Sequence, residues 1–252
     1  MRILFSLLLL SASTATLAQN AADSAAKPKA PKFDYNKLNL KNRANDHLLI
    51  QYGYDGWAGT PDSIRTTGFG RHFNLYVMLD KPFKTDPRWS VGLGVGVGSS
   101  NIFFEKTDIS LVRTGTNSAA AFRNVADTNH FKKYKLTNVW AEAPVEIRYT
   151  FNPANANKSW KIALGAKVGT MIAGFTKGKN LQTRQGQSIN GNRYIEKEKE
   201  RGFFQSTRLS ATLRVGYGAF SLHAAYQITN HFKDGAGPAL RPYSIGLTIS
   251  GL

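Results

Sequence analysis

Trp140-Ala141-Glu142-Ala143-Pro144-Val145-Glu146-Ile147-Arg148-Tyr149-Thr150-Phe151 falls into two faces when every second residue is read. Ala141, Ala143, Val145, Ile147, Tyr149 and Phe151 form one face, and Trp140, Glu142, Pro144, Glu146, Arg148 and Thr150 form the other. Apolar residues returning at every second position specify a strand, because a helix would return them every third or fourth. The pattern recurs. Trp160, Ile162, Leu164, Ala166 and Val168 oppose Lys161, Ala163, Gly165, Lys167 and Gly169, and Leu209, Ala211, Leu213, Val215 and Tyr217 oppose Arg208, Ser210, Thr212 and Arg214. Similar segments begin at Leu48, Phe73, Trp89, Phe220 and Tyr243, which makes eight strands, with ten as the alternative count.

Between these segments lie connections at about 58–70, 81–88, 105–133, 152–159, 176–202, 218–219 and 231–241, longer ones alternating with shorter ones. This is the layout of an all-β, up-and-down antiparallel barrel. In a membrane it would have long external loops, short periplasmic turns and, with an even strand count, both termini on the periplasmic side.

Outside the strands the chain reads differently. Met1-Arg2 is followed by an apolar run to Leu10 and small residues to Ala18, the pattern of a signal peptide over 1–18. That run is too short to span a membrane as a helix. Residues 19–45 are rich in Ala, Lys and Pro and are expected to form a disordered tether, leaving 46–252 as the barrel. With no cysteine, neither a disulfide framework nor a thiolate metal site is available, and the five histidines lack ligand spacing, so no metal or cofactor is expected. Against 16 acidic residues stand 33 basic ones, a formal charge of +17. In a secreted chain this excess suits lipid phosphates better than nucleic acid. A mean hydropathy of −0.32 argues against helical spans and is neutral for a barrel of alternating faces.

Alternation alone leaves open which face is inside, since a soluble lipocalin-like barrel also alternates. The aromatics favour an apolar exterior. Trp89, Tyr149, Phe151, Trp160, Tyr217 and Phe220 gather at one set of strand ends, and Tyr52, Tyr54, Phe69, Phe73 and Tyr243 at the other, as in the two girdles of a membrane barrel. The polar face must then fill a narrow lumen, where Glu142 and Glu146 are expected to pair with Arg148, Lys167, Arg208 and Arg214. Gly92, Gly94, Gly96 and Gly98 leave these side chains room. Pro144 lacks a ladder N–H, and a bulge is expected at Ala143-Pro144.

Several segments together resemble the PorT-like outer-membrane β-barrel family of Bacteroidota. They are Asn42 to His47 leading into Tyr52-Gly53-Tyr54-Asp55-Gly56-Trp57, the glycine-alternating third strand, and Glu142-Ala143-Pro144 before Val145 to Tyr149. The last looks like the family's Glu-Ile-Pro strand, with Ala143 in place of a larger aliphatic. The resemblance covers about 40–252 and implies an outer-membrane barrel without catalytic residues. The family's eponymous member serves a protein-secretion and gliding system, so an accessory role there is a second expectation.

An enzyme of the barrel rim, for example a lipid-modifying one, would need His beside Ser or a carboxylate. Only His130 with Asp127 and His231 with Asp234 are local pairs near the expected outer rim, and neither has a nucleophile motif, so no catalytic residue is assigned. The 176–202 loop is more suggestive, with Lys177, Lys179, Arg184, Arg193, Lys197, Lys199 and Arg201 against Glu196, Glu198 and Glu200. Lys177, Lys179 and Arg201 are candidates for contacting lipopolysaccharide phosphates, unless the loop is simply solvated. Asn190-Gly191 is expected to close a hairpin there. The resulting expectation is a non-enzymatic barrel of the cell outer membrane with a plugged polar lumen. It would have a structural or interaction role, with membrane lipid and envelope or secretion proteins as partners.

Overall fold

Eight strands of this chain close on themselves. In the computed structural model, which describes residues 47–62, 64–111 and 119–251, the strands are β1 (Leu48–Ala58), β2 (Arg71–Pro82), β3 (Trp89–Phe104), β4 (Thr107–Ser110), β5 (Ala121–Asn124), β6 (His130–Thr150), β7 (Trp160–Gln182), β8 (Ile195–Lys199), β9 (Thr207–Tyr217), β10 (Phe220–Gln227) and β11 (Arg241–Ser250). The order around the barrel is β1, β2, β3, β6, β7, β9, β10 and β11, and β11 returns to β1, every pair antiparallel. The remaining strands decorate one end: β4 and β5 form a hairpin between β3 and β6, and β8 lies along the outer part of β7. The expected signal peptide and tether lie outside the described residues.

Short connections gather at one end, at 83–88, 151–159 and Gly218-Ala219, and long ones at the other, at 59–70, 105–129, 183–206 and 228–240. The tightest turn depends on Gly218, whose φ of +59° a side chain would strain. Two segments expected as loop are strand instead. Residues 130–133 and 176–182 continue the β6–β7 ladder out to His130↔Gln182, because alternation persists there in charged residues that do not register as a buried face. Nor does Asn190-Gly191 make the hairpin turn itself: β8 does return on β7, but over twelve residues whose final turn is closed by Tyr194 N–H donating to Gly191 O at 3.1 Å.

Proline at 144 acts differently from expectation. No extra residue is inserted at Ala143-Pro144, and the ladder to β3 simply lacks pairs between Leu93↔Val145 and Gly96↔Glu142. The missing N–H is met by leaving the ladder open there without changing register. A bulge does occur, but opposite Val139/Trp140, where Ile172 is the extra residue of β7. It reverses the facing of that strand. Before it, Ala163, Lys167, Gly169 and Met171 point inward; beyond it, Gly174, Thr176, Gly178 and Asn180 do.

The barrel is apolar outside and polar inside. Leu79, Val95, Leu164, Leu222 and Leu247 are each more than 60 % exposed, while Asn74, Glu142, Glu146, Arg148, Lys167 and Arg214 are buried. A continuous belt of this kind exceeds the isolated patches a soluble protein tolerates, and it excludes the lipocalin-like arrangement, in which the apolar face would turn inward. Aromatic pairs border it. Trp89 on Tyr149 at 4.9 Å and Trp160 on Tyr217 at 5.8 Å lie at the short-turn end, and Tyr54 on Phe69 at 5.2 Å and on Tyr243 at 6.1 Å at the other.

The glycines of β3 form a thin wall facing the lumen. A Cβ at Gly92 would stand 2.6 Å from the Arg148 guanidinium, and one at Gly98 would stand 2.5 Å from Glu142 Oε2 and 2.7 Å from Asn74 Oδ1. Gly98→Val is therefore expected to lower stability by about 1–3 kcal/mol, the range for overpacking. Urea unfolding in lipid vesicles measures this, with the outward Val97→Ala as the control.

Candidate functional site: the charged lumen and the lysine face

Two carboxylates organise the lumen. Glu142 on β6 accepts from Arg208 Nε at 2.8 Å and Nη2 at 2.6 Å through Oε1, and from the Tyr76 hydroxyl at 2.6 Å through Oε2. Lys167 Nζ lies 3.5 Å from the same Oε1. Four residues along the same face of β6, Glu146 Oε2 accepts from Arg148 Nε and Arg214 Nη2, both at 2.9 Å. Arg148 also reaches Asp80 at 3.3 Å. The six residues picked out for the lumen, Glu142, Glu146, Arg148, Lys167, Arg208 and Arg214, thus form two adjacent clusters. Each carboxylate gathers two cations, and the Arg208 guanidinium also rests 4.5 Å from the Trp140 ring centroid. Between Tyr76, Glu146, Lys167 and Arg214 remains a cavity of about 20 Å³, the size of one water.

A second polar chain crosses the lumen midway along β1, β10 and β11, and sequence reasoning did not find it. His72 Nδ1 is 2.8 Å from Asp55 Oδ1, close enough for an ion pair although the N–H is not aimed along the contact. His72 Nε2 meets His223 Nε2 at 2.8 Å, so one ring donates and the other accepts. His223 Nδ1 lies 2.9 Å from the Thr248 hydroxyl, which also accepts from Gln51 Nε2 at 3.1 Å, and Ser100 donates to Asp55. The signal that could have found it is parity. Asp55, His72 and His223 each sit in phase with the inward residues of their strands, and the β1–β11 and β10–β11 registers bring them to one level.

Long loops fold over the adjoining mouth. Ile102, Phe104, Leu136, Trp140, Phe203, Phe204, Phe232 and Leu240 form a buried apolar cluster there. His231 is enclosed by Trp57, Phe204 and Phe232 at ring distances of 5.6, 5.3 and 5.2 Å, and neither nitrogen has a hydrogen-bond partner among the described residues. Burial, seconded by the charge of Arg208, pushes its pKa down to about 3. The His and carboxylate pairs considered for rim chemistry do not form among the described residues. His130 contacts the Thr128 carbonyl, Asp127 pairs with exposed Arg184, and His231 is sealed away from Asp234.

On the outer surface, the β7 bulge turns Phe175, Lys177 and Lys179 outward. Directly opposite one another across three strands stand Lys135, Lys177 and Lys197, with Lys133 and Lys179 in the next row and Lys199 facing Phe175 in the row before. Glu196 and Glu198 alternate with these lysines on β8 and so occupy its other face, where Glu198 accepts the Leu111 N–H. Arg201 is separate from Lys177 and Lys179. Its Nη1 donates to Ile172 O at 3.0 Å and leans on Met171 O, bracing the bulge where β7 has left β9.

Two outcomes follow. Glu146→Ala takes from Arg148 and Arg214 the carboxylate they share and is expected to cost up to about 3–5 kcal/mol. Adding Arg214→Leu should recover part of that loss, as a double-mutant cycle on urea midpoints would show. His231 makes stability depend on pH, because the unfolded chain binds its proton near pH 6.5 and the folded chain only near pH 3. This contribution is complete above pH 6.5 and shrinks as pH falls towards 3. Between pH 7 and 5 the wild type should lose more stability than His231→Phe.

Residues 33–233 match the family described as outer membrane protein beta-barrel domain. No curated protein matches the chain. The match reaches from before β1 into the connection after β10, and the closed eight-stranded barrel with its apolar exterior is the architecture that description requires. The chain belongs to the outer membrane protein beta-barrel domain family.

Proposed function

We propose that this outer-membrane barrel is neither a pore nor an enzyme, and that it serves as a rigid scaffold presenting an interaction surface on its long-loop end. The observation carrying this reading is the lumen itself. Glu142 and Glu146 with Arg148, Lys167, Arg208 and Arg214 occupy an interior only about as wide as side chains require, and Trp140, Phe204 and Phe232 cap it. A conducting pore needs hydrated, unpaired groups along its wall, whereas these are paired with one another. The Asp55, His72, His223 and Thr248 chain is buried at the centre of the barrel, away from any surface where a substrate could meet it.

In this reading the long loops face the exterior, the short turns and both mature termini face the periplasm, and loops held by a rigid scaffold carry the specific contacts. A finer assignment, to a PorT-like accessory of protein secretion, is favoured by the Glu142-Ala143-Pro144 segment. There Glu142 is the hub of the lumen and Pro144 opens the ladder to β3. Crosslinking from native outer membranes would test that assignment by recovering secretion components.

The scaffold reading is tested in planar bilayers. Purified protein that shows heat-modifiable mobility is expected to give no sustained ion steps. Glu142→Ala with Arg208→Ala, which removes the carboxylate and one of the two cations of the Glu142 cluster, should introduce measurable leak. Large, stable conductance from the wild type would overturn the reading.

A further inference from the structure

Where β7 parts from β9, the barrel wall has a cleft. The β7–β9 ladder ends at Thr170↔Thr207, the β7–β8 ladder starts at Phe175↔Lys199, and the bulged residues between them line an outward recess of about 900 Å³. Its polar rim comprises Lys197, Lys199, Arg201 and Lys233. Glu200 also lines it, but its Oε1 accepts the Gly202 N–H at 2.6 Å, which turns the carboxylate to the backbone. Arg201 spends one guanidinium nitrogen on the carbonyls of Met171 and Ile172, and its other donors have no partner among the described residues. Lys197 is held 3.7 Å from the Phe175 ring centroid, which fixes its ammonium at the cleft edge.

Three lysines directly opposite one another on adjacent strands repel, and among the described residues no acidic residue is paired with Lys135, Lys177 or Lys197 in these ladders. An anion from outside the chain would relieve that repulsion. Directly beneath the cleft, outward-facing Val168 and Leu209 are paired across the ladder, and Ile172 and Ile228 are about half exposed beside them. The cationic rim of the recess therefore adjoins an apolar strip at the border of the membrane belt. We infer that this cleft binds a phosphorylated lipid, its phosphate on Lys197, Lys199, Lys233 and the free donors of Arg201, and an acyl chain along Val168 and Leu209. The inference rests on the outer-membrane reading above and specifies the partner of its long-loop end.

The test uses the full-length protein in phosphatidylcholine nanodiscs, titrated with bisphosphorylated lipid A, with lipid A stripped of phosphate, and with inorganic pyrophosphate. Wild type is expected to bind the phosphorylated lipid, to lose affinity as salt rises, and to bind the stripped lipid and pyrophosphate weakly. Lys197→Gln, Lys199→Gln and Lys233→Gln together should weaken binding by about tenfold or more and flatten its salt dependence. Arg201 is left in place because it braces the bulge, and Lys81→Gln with Lys84→Gln at the short-turn end should change nothing. Equal affinity of the triple variant and wild type, or of phosphorylated and stripped lipid, would overturn the site. Pyrophosphate binding as tight as that of the lipid would overturn the lipid assignment. Heat-modifiable mobility of each sample reports separately on the barrel: a wild type that never becomes heat-modifiable refutes the membrane reading, whereas a folded wild type with no phosphate preference refutes only the cleft.

Discussion

The pairing of Glu142 with Arg208 and Lys167, and of Glu146 with Arg148 and Arg214, is the constraint from which the rest of the barrel follows. A closed eight-stranded sheet with its apolar side in lipid must put its polar side in a space too narrow for bulk water. Charges there are tolerated only when each meets the opposite sign at hydrogen-bonding distance. The requirement propagates outward. The guanidiniums need volume, which the glycine wall of β3 supplies, and the phenol of Tyr76 must reach Glu142 to use its second oxygen. Membrane proteins of this kind invert the usual economy of a core: dispersion and hydrophobic burial act on the outside, while electrostatic complementarity holds the inside.

Much of this was legible in the sequence because a strand has the simplest of periodicities. Eight alternating segments, two sets of aromatic ends and six charged residues on the inward phase could be read without coordinates. Which cation meets which carboxylate was not legible, since it depends on the stagger between strands, which no single strand encodes. The Asp55, His72 and His223 cluster escaped for the same reason, its members lying on three strands far apart in the chain.

The bulge at Ile172 shows a different limit. Continued in phase from Trp160, the alternation would point Lys177 and Lys179 into the lumen. One inserted residue prevents this, sending Phe175 and the lysines outward and opening the wall beside them. Pro144 was the more conspicuous irregularity and was expected to cause the bulge. It is instead accommodated by unmade pairs, while a residue with no special conformational demand is the extra one.

The seam between β1 and β11 imposes an order on assembly. Every other barrel ladder joins neighbours along the chain, either by a direct turn or, for β3–β6 and β7–β9, across the inserted β4–β5 hairpin or β8. At this seam Gln51 meets Thr248 across 197 residues. Bringing such distant segments together costs chain entropy before any contact compensates for it, although the cost grows only slowly with length. The neighbouring hairpins shorten the effective distance as they form, so the first and last strands are the last to meet. Until they do, both carry open edges and half of the Thr248 and His223 chain lacks its partners. Closure therefore completes the hydrogen bonding of the sheet and joins His72 to His223 and Gln51 to Thr248 in the same step.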